Sequence, residues 1–327
     1  MADRVKIFAL GGLNEKGRDC YICEINNDIF VLDAGISIPD KNFPGVDCLL
    51  PNFSYLIKNK DKIKAYILTH GHDENMGALK FFYKYAPAPV FCTDTTRVVM
   101  ESQMLIHHQY AKVDYHIVKA SDDVVVAGRK ISFFQTCHNA ANSFGVAIYT
   151  DQGNIVYTSD YIINFATDED NFKFDLAKAA KLAEQNTLLL LAESTSGGKN
   201  GYCSPKHRLS PLIEKYFKMD KRILITCYWE NMYRLREISR LIKKYNKKLY
   251  CYDEYTSDVL KNVILAGTSI QISPDQIVKK EDLLRIKKSE LVNNMVTSSL
   301  STVGFRMPDS KIALAVLSPG VPTDIDF

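Results

Sequence analysis

The sequence predicts α+β layers up to about residue 198 and an α/β unit after it. Three observations carry that prediction. Short apolar runs broken by Gly, Asp and Asn fill the first half, as strands joined by tight turns do. Between residues 74 and 110 the apolar spacing becomes helical. Beyond about residue 200 strand-like and helix-like stretches alternate regularly, the rhythm of parallel strands linked by helices.

In chain order, the strands of the first half are Val5–Leu10, Asp19–Ile25, Ile29–Leu32, Ala65–Leu68, Val90–Cys92, Asp123–Val126, Ile131–Thr136, Gly145–Tyr149 and Asn154–Thr158. Gly77-Ala78-Leu79 leads into the helical Phe81-Phe82-Tyr83, and Thr95 to Ile106 continues the helical spacing. Strands in antiparallel runs, interrupted by helices, indicate layers rather than a strictly alternating parallel sheet. In the second half Arg222–Cys227 and Lys248–Tyr252 read as strands, Asn231–Tyr245 and Thr256–Leu265 as helices. The boundary falls at Gly197-Gly198, dividing 1–198 from 199–327, with Lys199-Asn200-Gly201 as a loop.

A chain of 327 residues has ample material for a buried core, and 46% hydrophobic with 24% charged residues is ordinary for a soluble globular protein. The opening MADRVKIFAL lacks the apolar stretch of a secretory signal, and the strongest apolar run, Leu188 to Leu191, is far too short to span a bilayer. A cytoplasmic protein with no membrane association is expected. The eight cysteines sit mostly in strand-like runs, where a free thiol acts as a small hydrophobe. Cys20 and Cys23 have C-x-x-C spacing, but no second pair follows and no helix begins there, so a reduced set is the better reading. Charge is uneven. Residues 1–200 carry 20 Lys/Arg against 24 Asp/Glu, and residues 201–327 carry 21 against 14. A basic second half suits contact with a polyanion, although a solvated lysine-rich helix surface explains it equally well.

Residue types that bind metals stand at the ends of four strands. Asp33 follows Val31-Leu32, His70 and His72 follow Ala65–Leu68, His138 follows Phe133–Cys137, and Asp160 follows Ile155–Ser159. Side chains after strands converge on one sheet edge, and two histidines spaced by one residue can aim both rings at one ion. A single polar residue after a strand is usually a turn former. Four in this order are not.

The order Asp, H-x-H, His, Asp resembles the metallo-β-lactamase superfamily, and within it the ribonuclease J family of the β-CASP group. The likeness rests on Gly11-Gly12-Leu13-Asn14-Glu15-Lys16-Gly17, Leu32-Asp33-Ala34-Gly35, Pro44-Gly45-Val46-Asp47 and Leu50-Pro51-Asn52. It continues through Leu68-Thr69-His70-Gly71-His72, Cys137-His138, Asn142-Ser143-Phe144-Gly145, Tyr157-Thr158-Ser159-Asp160, Ala192-Glu193-Ser194-Thr195 and Asn231-Met232-Tyr233-Arg234. It is strong over about residues 8–240 and weak thereafter. The resemblance implies a four-layer αββα sandwich with an inserted α/β β-CASP domain, two zinc ions at the sheet edge and RNA entering between the domains. It implies that His70, His72 and His138 hold the first zinc, that Asp160 bridges both, and that Asp33 orients a ligand histidine from behind. Residues 74 and 75, Asp160 and a later histidine would hold the second. Glu193, Asn231, Tyr233 and Arg234 fall on substrate-binding positions, and Asp160 and His138 on catalytic ones. It also implies assembly as a homo-oligomer or with another ribonuclease J subunit.

The chain departs from this pattern at both ends of the site. Glu74 stands where the family has aspartate, and Asn75 where it has a histidine ligand. An asparagine amide oxygen is neutral and a poor match for zinc, so Asn75 is expected to have lost that role. Asp73 is a candidate substitute carboxylate. Tyr233 replaces a histidine, and a phenol with a reference pKa near 10 is a poor proton carrier at pH 7. Glu230 brings negative charge where the family contacts phosphate. Lys311–Pro319 reads as a strand returning to the first domain, with the sandwich then incomplete at the C-terminus, in a fragment or a shortened protein. His107-His108 is expected on a surface, His116 and His207 in loops, and Tyr228 and Trp229 in a core.

Three functions remain open: a zinc-dependent ribonuclease, exo- or endonucleolytic, in RNA processing and decay; a weak or inactive paralogue serving as RNA-binding partner of an active ribonuclease J; and a small-molecule metallo-hydrolase. The chemistry common to the first and third is water with its pKa lowered to about 7 by zinc.

Overall fold

The computed structural model describes residues 2–39, 43–106, 111–163, 170–195, 197–198, 200, 209–219, 221–226, 230–251, 254–265, 276–278, 285, 291–294 and 313–317. His107, His108, His207, Tyr228 and Trp229 lie outside these residues. The chain forms two compact units, Met1–Cys203 and Ser204–Phe327.

The first unit holds two sheets. β1 (Val5–Gly11), β2 (Cys20–Ile25), β3 (Asp28–Leu32), β4 (Ile63–Ile67), β5 (Val90–Cys92) and β6 (Tyr115–Ile117) lie side by side in that order. β1 to β3 pair antiparallel, β1 and β2 through the loop 12–19 and β2 and β3 through a two-residue turn. From β3 onward the pairs are parallel, because each connection carries a helix and re-enters from the same end. Those helices are α1 (Ser54–Lys58), α2 (Asp73–Met76) with α3 (Leu79–Phe82), and α4 (Asp94–Ile106). His116, expected in a loop, lies in β6 with its ring stacked on Phe91, centroids 4.9 Å apart. Half-exposed Tyr-His-Ile gives a strand this short no periodic signal.

In the second sheet β7 (Asp123–Val126), β8 (Arg129–Gln135), β9 (Phe144–Thr150) and β10 (Gly153–Tyr157) run antiparallel, and β11 (Thr187–Leu191) joins β10 in parallel after α5 (Leu176–Ala183). The two sheets face each other across one core. Cys23, Phe30, Leu32 and Ile67 meet Phe133, Phe144, Val146 and Ile155, all at most 1% exposed. The outer faces are covered by helices. Tyr66 turns outward from β4 to Phe82 of α3, and Leu182 of α5 packs on Phe134, Ala147 and Val156. Four layers result, α, β, β, α, as the resemblance implies. Cys20, Cys23, Cys48, Cys92 and Cys137 are free thiols. Burial pushes the Cys23 thiol up to about 12, which fits a core role rather than redox chemistry.

In the second unit β12 (Arg222–Thr226), β13 (Lys248–Cys251) and β14 (Leu291–Asn294) are parallel, ordered β13-β14-β12. β15 (Ala313–Leu317), expected to return to the first domain, pairs antiparallel with β12 here. α6 (Ser210–Phe217) precedes β12, α7 (Met232–Lys244) links β12 to β13, and α8 (Glu254–Leu265) follows β13. Leu209 and Ser210, at the start of α6, donate backbone N–H groups to buried Glu237 of α7, a carboxylate where the helix dipole favours one.

Candidate metal centre

The chain leaves β4 through Leu68 and Thr69, and His70, Gly71 and His72 bring it to the first residue of α2. Gly71 lies beside Thr96 and Val99 of α4. His138 is brought in from the second sheet, one residue after Cys137. A bridge between Cys137 and Ile162 ties the end of β8 to the segment carrying Asp160. Phe144 N–H also donates to Thr69 C=O across the two sheets, at 3.2 Å. Three ligand-bearing segments from two sheets therefore meet at one edge.

Their ligand atoms converge. One atom each from His70, His72, His138 and Asp160 lie within 4.8 Å of one another. His138 Nε2 is 3.2 Å from His72 Nδ1, and Asp160 Oδ2 is 3.7 Å from His138 Nε2 and 3.8 Å from His70 Nε2. Two ligands each about 2.1 Å from one ion at a tetrahedral angle stand roughly 3.4 Å apart. His70 Nε2 is fully buried and has no hydrogen-bond partner, an orphan that an ion would satisfy. Burial holds the His70 and His138 rings well below the usual histidine range, and neighbouring rings reinforce it. Neutral imidazoles are what a metal requires. The group fits a metal site.

Behind it lies a buried polar network. Thr69 Oγ1 stands 3.0 Å from His70 Nδ1 and donates to Asp33, with both carboxylate oxygens 3.0 Å away. Asp33 also accepts from Thr69 N–H at 2.8 Å, Tyr157 O–H at 2.8 Å and Asn75 Nδ2 at 2.9 Å. Asp33 thus reaches the histidine through Thr69, not directly. Its φ of 60° and the 52° of Ser159 are left-handed conformations, which L-residues hold only when the surroundings enforce them. Burial pushes the Asp33 carboxyl up to about 6, against the pull of its hydrogen bonds. Asp160 is pushed up to about 7, first by burial and then by Glu74, Glu193 and Asp33. Asp19 goes to about 8 through burial, Asp33 and Asp160. Crowded carboxylates of this kind call for a cation.

The remaining expected residues are distributed around or away from this group. Asn75 is fully buried, and its amide N–H groups face Asp33 and, at 3.4 Å, Asp19. Asp73 turns to α4, accepting from Gln103 Nε2 at 2.7 Å, and does not join the ligand group. Glu74 neighbours Asp160 electrostatically and pairs with Lys16 at 3.4 Å. Glu193 accepts from Thr195 N–H at 2.6 Å. In the second unit Asn231 caps α7, its Oδ1 accepting from Arg234 N–H at 3.1 Å, and Tyr233 sits in the first turn. Sequence reasoning misses Asp19, Thr69, Tyr157 and Ser159. Only their places beside Gly17, His70 and Asp160 could have flagged them.

Ribonuclease J 2 of Staphylococcus aureus (strain NCTC 8325 / PS 47) is 30% identical to the chain over 246 residues, 75% of this chain and 44% of the relative. Ribonuclease J 2 of Staphylococcus saprophyticus is 30% identical over 289 residues, 88% of this chain and 52% of the relative. The chain is a ribonuclease J-like member of the metallo-β-lactamase family. It spans about half the length of the curated relatives it matches. A crystal structure of a protein of unknown function from Enterococcus faecalis V583 shares the fold, with a TM-score of 0.65 at 14% identity, over 90% of this chain and 78% of that one. No protein-family model matches. Within this ribonuclease J-like frame, the two-sheet core is the part that the sequence and the folded chain describe alike, and the strand-end residues His70, His72, His138 and Asp160 come together as a group that fits a metal. Among the described residues no helix is long and apolar enough to cross a membrane.

Proposed function

We propose that the chain is a metal-dependent hydrolase of RNA phosphodiester bonds, holding one zinc ion on His70, His72, His138 and Asp160 and working in RNA processing and decay in the cytoplasm. The observation that carries this reading is the convergence of four ligand atoms, with an orphaned buried nitrogen, in front of the Asp33–Thr69–His70 relay. A zinc ion there would acidify water and polarise a phosphoryl oxygen. The chain's own residues do the rest. Thr69 and Asp33 fix the tautomer and direction of His70, burial keeps the rings neutral, and Asp160 and His138 complete the set of side chains at the reacting centre. Cleavage from a 5′ end or within the strand, and assembly with itself or with another ribonuclease J subunit, both belong to this reading.

One observation favours a second reading. Asn75 presents amide hydrogens to Asp33 and Asp19 in place of a ligand nitrogen. Together with Glu230 and Tyr233, this suits a catalytically weak subunit that binds RNA beside an active ribonuclease J. Metal analysis and degradation of 5′-monophosphorylated RNA decide between them. The active reading expects about one zinc per chain and loss of cleavage in His72→Ala. Cleavage unchanged in that variant refutes it, and RNA binding without cleavage in the wild type establishes the second.

A further inference from the structure

Asp160 does not stand alone among acids. Glu74 and Glu193 act on it electrostatically, and Asp19 lies within reach of Asp33, Asp160 and Glu74. Such a cluster would ordinarily gather a further divalent ion beside the one on the histidines. The protein instead brings positive poles of its own. Asn75 gives its amide hydrogens to Asp33 and Asp19, as above. Lys16 Nζ lies 3.4 Å from Glu74 Oε1, and its charge opposes the acidic neighbours of Asp160.

Lys16 is not a wandering surface lysine. Its loop is pinned on both sides. Gly12 N–H donates to Glu15 Oε1 at 3.0 Å, and Arg18 grips the other oxygen of Glu15 through Nε at 2.9 Å. Arg18 N–H then donates to Ile36 C=O at 2.9 Å, and Asp19 N–H to Glu74 C=O at 3.0 Å. Gly17 (φ +80°) leaves no room for a Cβ, which would come 2.6 Å from Ile36 C=O and 3.2 Å from Glu74 Cγ. That close approach sets Lys16 directly beside the Glu74 side chain.

We propose that Lys16 is a built-in cation that takes the place of a second metal ion beside Glu74 and Asp160, keeping the centre mononuclear. The inference rests on the metal-site reading of His70, His72, His138 and Asp160 and deepens it. Lys16 holds its charge against Glu74 while its side chain stays 64% exposed, so its replacement leaves the fold intact.

The test is equilibrium dialysis against graded Zn²⁺, with bound metal counted in the wild type, Lys16→Met and Lys16→Arg. Lys16→Met keeps the length and loses the charge, and is expected to bind a second ion about tenfold more tightly than the wild type. Lys16→Arg should match the wild type, and the first ion should bind alike in all three. Second-ion affinity unchanged in Lys16→Met, or two ions already bound tightly by the wild type, overturns the proposal and leaves the single-ion site standing. Absence of the first ion in all three overturns the metal-site reading, and this inference with it.

Discussion

At the scale of single residues, Asp33 carries the most information. Its carboxylate is wholly buried, accepts from Thr69, Asn75 and Tyr157, and sits on a left-handed backbone. Burial raises its folded pKa to about 6, above the unfolded carboxylate value. A raised acid contributes stability that is full below the unfolded pKa and is lost as pH rises through the folded one. In metal-free protein, Asp33 should therefore cost about 2 kcal/mol of stability between pH 4 and pH 7. Urea unfolding at both pH values should show that slope reduced in Asp33→Asn. An identical pH dependence in the variant would contradict the assignment. The histidines were readable because H-x-H spacing after a strand is rare. The relay through Thr69 was not, since a threonine before histidine carries no spacing signal of its own.

The short helix α2 and the loop after β3 decide, at the scale of elements, where Glu74 and Asn75 stand. Ala34 N–H donates to Asn75 C=O at 2.6 Å, Ile36 N–H to Asp73 C=O at 2.8 Å and Ala78 N–H to Ala34 C=O at 2.8 Å. A Cβ on Gly35 would fall 1.4 Å from Glu74 C=O, so the Leu32-Asp33-Ala34-Gly35 motif is in part a packing requirement. Gly35→Ala should push α2 away and cost about 3 kcal/mol or more, because the obstacle is backbone that cannot rotate aside. Chemical denaturation measures the loss, and a Gly35→Ala protein as stable as the wild type would refute the close approach. Most strands of the first half and the long helices α4, α7 and α8 were legible in the sequence from periodicity, while β6, β11 and β14 were not. A four-residue helix whose hydrogen bonds go to a distant loop has no period to read.

At the scale of the molecule, all four candidate metal ligands and Asp33 lie within Met1–Cys203, while Asn231, Tyr233 and Arg234 belong to Ser204–Phe327. An ion bound only to the folded first unit stabilises that unit by mass action, about 2.7 kcal/mol at a hundredfold excess over Kd. Calorimetry with and without a chelator should therefore move the transition of the first unit and leave that of the second in place. A shift of both together would mean that the units unfold as one.

The sequence by itself determined the mixture of strands and helices, the ribonuclease J likeness and which side chains are candidates to hold a metal. These are local facts, written in periodicity and in residues at strand ends. Only the tertiary structure decided that Asp73 turns to Gln103, that Asn75 points its hydrogens at Asp33 and Asp19, and that Lys16 reaches Glu74. Each depends on elements far apart in the chain meeting at one sheet edge. The direction of a buried polar side chain is set by the partners that packing leaves within its reach.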